Sequence, residues 1–122
     1  MLPKAERAAE IEHARHNSGS LPLVPLIETA AGFDHLRELA QAPGVQRLAF
    51  GSIDFQLDMG IDESEAGVEL LYFRSQLVLA SRLAALAAPI DGVTTSLDDA
   101  ERIRRDARAA RPARARVVVP AQ

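Results

Sequence analysis

Short apolar runs alternate with helix-patterned segments along this chain, and that rhythm limits its architecture more than any other property. The runs are Leu21–Ile27, Val45–Phe50, Ile90–Thr94 and Val117–Val119. They show no clean polar face, as expected of strands buried on both sides, whereas strands of a half-solvated antiparallel sheet alternate. The rhythm therefore predicts an α/β fold in which helices cover parallel strands. Pro25 lies inside the first run and removes a ladder donor, so that strand must bulge or turn this position away from its neighbour.

The intervening segments carry helical spacing. Lys4–His16 sets Ala8, Ile11 and Ala14 at three-residue steps, giving a thin apolar stripe. Thr29 is placed to cap a helix running through Gln41, with Phe33, Leu36, Leu39 and Ala40 on one face and Pro43–Gly44 as its stop. A loop with Asp54 and Asp58 is expected up to Gly60. Val68–Leu86 reads as the longest helix, with Leu70, Phe73 and Leu77 on one row and Leu71, Ser75, Val78 and Arg82 on another. Ser96 and Asp99 form a capping-box pattern ahead of a helix over Leu97–Ala110.

At 122 residues, 48% hydrophobic and 25% charged, the chain has the proportions of a single globular domain over residues 1–122. The absence of Cys excludes disulfide frameworks, thiol catalysis and Cys-ligated zinc. Leu83–Ile90, the best apolar run, falls far short of the roughly 20 residues of a membrane span. Met1–Glu10 lacks a secretion pattern, and a cytoplasmic location is expected. From position 100 onward seven Arg against Glu101 and Asp106 give +5, against −3 for the whole chain. Such a basic stretch suits nucleic acid or CoA phosphates. It carries no interleaved aromatics and no nucleic-acid motif, so nucleic acid is not an expected partner and a solvated Arg-rich helix is.

Glu28 directly follows the first run, and Asp54 stands four residues past Phe50. Both acids fall at carboxyl ends of strands, the edge where parallel α/β folds bind ligands. Two carboxylates there suit magnesium, which takes one or two of them and keeps positions for water or an oxygen-rich substrate. The alternative from spacing alone is structural, with Glu28 capping a helix and Asp54 making an Asx-type turn.

Several segments in register add a resemblance: Leu2-Pro3-Lys4-Ala5-Glu6, then Val24-Pro25-Leu26-Ile27-Glu28-Thr29, then Leu48-Ala49-Phe50-Gly51-Ser52-Ile53-Asp54-Phe55 with Asp58 and Gly60. Tyr72, Arg74-Ser75, the Ala-rich Leu79–Leu86 and Ile90-Asp91-Gly92-Val93 continue it to about Ala110. This pattern closely resembles the citrate lyase beta subunit-like branch of the HpcH/HpaI aldolase superfamily. The resemblance implies part of a (β/α)8 TIM barrel, from about the end of strand 4 through strand 8. It implies Glu28 and Asp54 as magnesium ligands, Mg2+ as cofactor, and carbon-carbon lyase chemistry on citryl-, malyl- or citramalyl-type acyl-CoA thioesters, with keto acids as the other substrate class. Some relatives are thioesterases.

The departures from the family pattern are equally definite. A complete barrel takes about 250 residues, and the first three strands, with the substrate-binding arginine and much of the thioester pocket, are expected to fall outside this sequence. Relatives carry a Gly-Lys segment leading into Ile-His-Pro and a Gln, where this chain has only Pro120-Ala121-Gln122, without the histidine. A fragment, a shortened paralogue and an altered reading of a longer gene all fit. Lys4 is the candidate substrate-binding lysine, against a solvent-facing role; no catalytic acid or base is assigned. His13, His16 and His35 lack zinc-ligand spacing and receive no role. Arg74 is expected in an ion pair, and Asp91 either orients site groups or makes an Asp-Gly turn. Two rival readings stand beside the lyase: a noncatalytic barrel remnant that needs a partner chain or self-association, hence a homo-oligomer, and an Arg-tailed nucleic-acid binder.

Overall fold

A computed structural model describes residues 1–62, 64, 67–93, 104, 108 and 116–118. Four parallel strands form one sheet in the order β1-β2-β3-β4: β1 (Leu26–Ile27), β2 (Ala49–Phe50), β3 (Ile90–Val93) and β4 (Arg116–Val118). The parallel α/β expectation is met, with β1 and β2 shorter than the apolar runs that contain them. Leu2 adds a parallel bridge to Pro25, and Leu23 one to Val45.

Pro25 sits in the irregularity that its missing N–H requires. Between the Leu23–Val45 bridge and the Leu26–Ala49 pair, one strand advances three residues while the other advances four. The extra residue bends the ladder where proline cannot donate. The Pro25 carbonyl still accepts from Ala49 N–H at 2.9 Å.

Helix α1 (Ala8–Ser18) buries Ile11 and half-buries Ala8 and Ala14, the stripe seen in the sequence. Glu10 Oε2 accepts from the main-chain N–H groups of Glu6 and Arg7 and so closes its first turn. Thr29 caps α2 (Ala30–Asp34), its Oγ1 accepting from Gly32 N–H at 3.1 Å. The expected single helix to Gln41 is instead two, because His35 leaves helical geometry (φ −92°, ψ 15°) before α3 (Leu36–Gln41). The apolar face survives the break: Leu36, Leu39 and Ala40 are buried and Phe33 packs beside them.

The segment with Asp54 and Asp58 is a helix, α4 (Ser52–Met59), and corrects the loop expectation. Its Ile53, Phe55, Leu57 and Met59 alternate at period two, and it has no side-chain N-cap, so the usual helix signals are missing. Gly60 ends it in left-handed geometry at φ 65°. A 3₁₀ turn over Val68–Leu70 leads into α5 (Leu71–Leu83), and Leu70, Phe73 and Leu77 prove to be the inward row. Within that turn, Glu69 Oε2 accepts from the hydroxyl of the preceding Ser64 at 2.9 Å. The Glu69 main-chain amide first, and the Ser64 hydroxyl second, hold the Glu69 carboxyl below its ordinary range.

All four phenylalanines meet in the core. Phe55 is fully buried and lies 5.2 Å from Phe50, 4.7 Å from Phe73 and 5.9 Å from Phe33, centroid to centroid. This cluster fixes α4, α5 and α2 against β2. Arg104 and Arg108 are helical and exposed. The Ser96–Asp99 cap, most of the Leu97–Ala110 segment, Thr94, Val119 and the Pro120-Ala121-Gln122 end lie outside the described residues.

Candidate metal and substrate site

The parallel ladder delivers its carboxyl ends to one edge. Glu28 is the residue after β1, Ser52 begins α4 two residues past β2, and Asp91 lies within β3. Together with Gly51, Asp54 and Ile90 they line a cavity of about 210 Å³. Two larger grooves, of about 310 and 420 Å³, lie away from the strand ends beside α2 and α3 and beside α1.

Glu28 is a buried carboxylate, 5% exposed. A buried charge requires compensation, and the Lys4 main-chain N–H donates to its Oε1 at 2.8 Å. The opposite side is open only because position 51 has no side chain. A Cβ there would stand 2.6 Å from the Glu28 Cβ and 3.0 Å from its Oε2. Gly51 N–H in turn donates to the Ile27 carbonyl at 2.8 Å, so the turn that makes this room is locked to β1.

Asp54 lies in the first turn of α4, next to the Phe55 anchor, and is exposed on the same cavity. Its carboxylate has no hydrogen-bond or ion-pair partner among the described residues. The pair thus comprises one oriented, buried carboxylate and one open one. Neither acid takes the structural role open to it from spacing, since Thr29 caps α2 and Asp54 lies within a helix.

Magnesium, which the sequence pattern implies, fits these donors. It accepts one or two hard carboxylate oxygens without histidine and retains water. The described residues contain no group of three or more His, Cys, Asp or Glu that could hold a metal together, so the fit rests on the pair.

Asp91 belongs to a different network. Its Oδ1 accepts from Arg74 Nε at 3.1 Å and from Gly92 N–H at 2.8 Å. Of the two readings open for Asp91, the Asp-Gly turn is not taken: Asp91 and Gly92 lie in β3, where the register with β4 shifts between Asp91 and Val93. Gly92 also packs on Ser52 so closely that a Cβ would overlap it. Arg74 forms the expected ion pair and also donates to the Gly67 carbonyl at 3.3 Å.

Lys4 reaches the site through its main chain, while its side chain is exposed. His16 and His35 each pair a ring nitrogen with a carbonyl four residues earlier, on Glu12 and Ala31. Gly51 and Ser52 carried no expected role; the glycine directly after a strand was the available signal. No helix among the described residues is long and apolar enough to cross a membrane.

Comparison with known proteins adds four findings. Residues 2–113 match the model of the family described as HpcH/HpaI aldolase/citrate lyase. A citrate lyase subunit beta-like protein of Deinococcus radiodurans is 39% identical over 111 residues, covering 88% of this chain and 39% of that protein. A (3S)-malyl-CoA thioesterase of Cereibacter sphaeroides is 28% identical over 104 residues, covering 85% and 36%. Among solved structures, the citrate lyase beta subunit complexed with oxaloacetate and magnesium from M. tuberculosis superposes with a TM-score of 0.81 at 27% identity, over 98% of this chain and 53% of that one. The parallel sheet is therefore a segment of a TIM-type barrel. The chain spans about two fifths of the length of the curated relatives it matches.

Proposed function

This chain belongs to the HpcH/HpaI aldolase/citrate lyase family, and on that premise we propose that it carries the magnesium half of a carbon-carbon lyase site for acyl-CoA thioesters of the citryl, malyl or citramalyl type. The observation that carries the reading is the pairing of buried Glu28 with open Asp54 on one cavity at the strand ends. The relatives supply the substrate class: one is named for a malyl-CoA, and another is complexed with oxaloacetate and magnesium.

Glu28 and Asp54 would hold the ion. When bound, magnesium supplies Lewis-acid compensation for charge on the carboxylate and carbonyl oxygens of a keto acid. Glu28 is oriented by the Lys4 amide. Gly51 keeps one carboxylate oxygen of Glu28 clear, and Phe55 anchors the helix that presents Asp54. The exposed Lys4 ammonium is proposed to meet a substrate carboxylate at the rim. No residue is assigned as acid or base.

The test is thermal melting with and without magnesium, followed by thioester assays. A ligand that binds only the native state at a hundred times its Kd stabilises it by about 2.7 kcal/mol, or about 10 °C for a domain of this size. Asp54→Asn should lose most of that rise and the magnesium-dependent turnover while its metal-free melt stays within about 2 °C of wild type. Equal activity in Asp54→Asn would remove the ligand assignment. A magnesium-dependent rise without turnover would favour the second reading, a barrel segment that works only with further barrel strands or as a homo-oligomer. The observation favouring it is the coverage of 53% of the citrate lyase beta structure.

A further inference from the structure

We propose that Asp58 is a positioning residue for the two acids: its carboxylate clamps the helix that carries Asp54 onto the segment that carries Glu28. This inference deepens the magnesium reading and rests on it. Asp54 and Asp58 are four residues apart on α4 and therefore lie on one face, one turn apart. Asp58 Oδ2 accepts from the Ala30 main-chain N–H at 2.7 Å. Ala30 is two residues beyond Glu28 and opens α2. At 2.7 Å this bond lies at the short end of the N–H···O range.

The geometry explains why this contact matters for metal binding. At its start, α4 is tied to the sheet by Gly51 N–H on the Ile27 carbonyl. At its centre Phe55 enters the aromatic cluster. Both attachments lie in the first half of α4, so neither restrains its last turn, and a tilt of α4 shifts Asp54 relative to Glu28. Asp58 supplies an attachment in the last turn. The Glu28–Ala30 segment is held from its other side as well: Lys4 N–H donates to Glu28, and the Thr29 hydroxyl donates to Glu6 Oε1 at 2.9 Å. With both sides fastened, the spacing of the two acids is set before a cation arrives. Groups that orient metal ligands in this way typically govern affinity by about one order of magnitude or more.

The experiment is calorimetric titration of the full 122-residue chain with magnesium chloride, comparing wild type, Asp58→Ala, Asp58→Asn, Ala30→Pro and the Asp58→Ala/Ala30→Pro double variant. Ala30 occupies the first helical position, where proline fits and only the N–H is lost. Asp58→Ala and Ala30→Pro should each weaken magnesium about tenfold or more. The double variant should be no weaker than Asp58→Ala, the signature of one shared contact. Asp58→Asn retains an acceptor oxygen and should stay within about twofold. An Asp58→Ala chain that binds like wild type would overturn the positioning role. So would a matching loss in Asp58→Asn with Ala30→Pro unaffected, because Asp58 would then act by charge alone. If Asp58→Ala does not fold, the Asn and Pro variants decide. Wild type that takes up no magnesium would remove the metal reading and this proposal with it.

Discussion

Lys4 is held at a φ of 46°, in the left-handed region that side-chain-bearing residues rarely adopt. Such a conformation costs on the order of 1–2 kcal/mol and persists where the surroundings require it. What requires it here is the amide aimed at Glu28. Two roles therefore meet at one residue, a main-chain donor and an exposed ammonium, and Lys4→Gly separates them. Glycine keeps the N–H and adopts this φ freely, while its greater freedom in the unfolded chain offsets about 0.5–1 kcal/mol of the relief. Stability should therefore change by less than about 1 kcal/mol, and magnesium affinity should stay within about twofold. The loss should appear in KM for a thioester or keto acid, up to about fivefold if one exposed charge pair is removed. Paired magnesium titration and steady-state kinetics give both numbers. A weakened metal site in Lys4→Gly would show that the side chain, and not only the amide, supports Glu28.

Between elements, the corresponding joint is Arg74 on α5 with Asp91 on β3. The Arg74 side chain is 21% exposed and that of Asp91 is 6% exposed, so removing the cation strands a nearly buried carboxylate. Breaking a buried pair from one side costs about 3–5 kcal/mol, and the partial exposure of Arg74 lowers this to about 2–3 kcal/mol. Arg74→Met, which keeps the stem packing, should lower the urea midpoint accordingly, and adding Asp91→Asn should recover part of the loss. Full stability in Arg74→Met would mean that the ion pair does not join these elements. Neither Arg74 nor Asp91 signalled this contact in the sequence beyond the expectation of some partner, because the pairing is tertiary. Local signals fared better. The Thr29 cap was legible because its hydroxyl serves an amide three residues away, and the α1 stripe because its period is intrinsic. The break at His35 was hidden, since the apolar rows of α2 and α3 continue across it. The α4 helix was hidden because one buried apolar residue, Phe55, holds it in place of an amphipathic pattern. Glu28 and Asp54 were found as strand-end acids, whereas the donor from Lys4 belongs to the main chain and leaves no mark in residue identity.

At the scale of the whole molecule, the outer row of α5 and its leading turn raises the question of what covers it. Val68, Leu71, Tyr72, Leu79 and Leu83 are between 43% and 63% exposed, and at about 100° per residue they fall within roughly one third of the helix circumference. Apolar stripes of this kind are uncommon on monomers and mark contact surfaces. A second copy is the occupant proposed, because one continuous stripe on a helix can meet itself across a two-fold axis without further complementarity. Association should then stabilise the fold by mass action. Sedimentation equilibrium should give a mass above that of one chain, and the melting temperature should rise with protein concentration. Leu71→Lys/Leu83→Lys alters two side chains that are 56% and 63% exposed, so its direct cost to the folded monomer is small, about 0.5 kcal/mol per site. That variant should sediment as a monomer with a concentration-independent melt. A wild-type chain that is monomeric, melts independently of concentration and still binds magnesium would leave α5 to other barrel elements, and the self-association reading would fall while Glu28 and Asp54 kept their role.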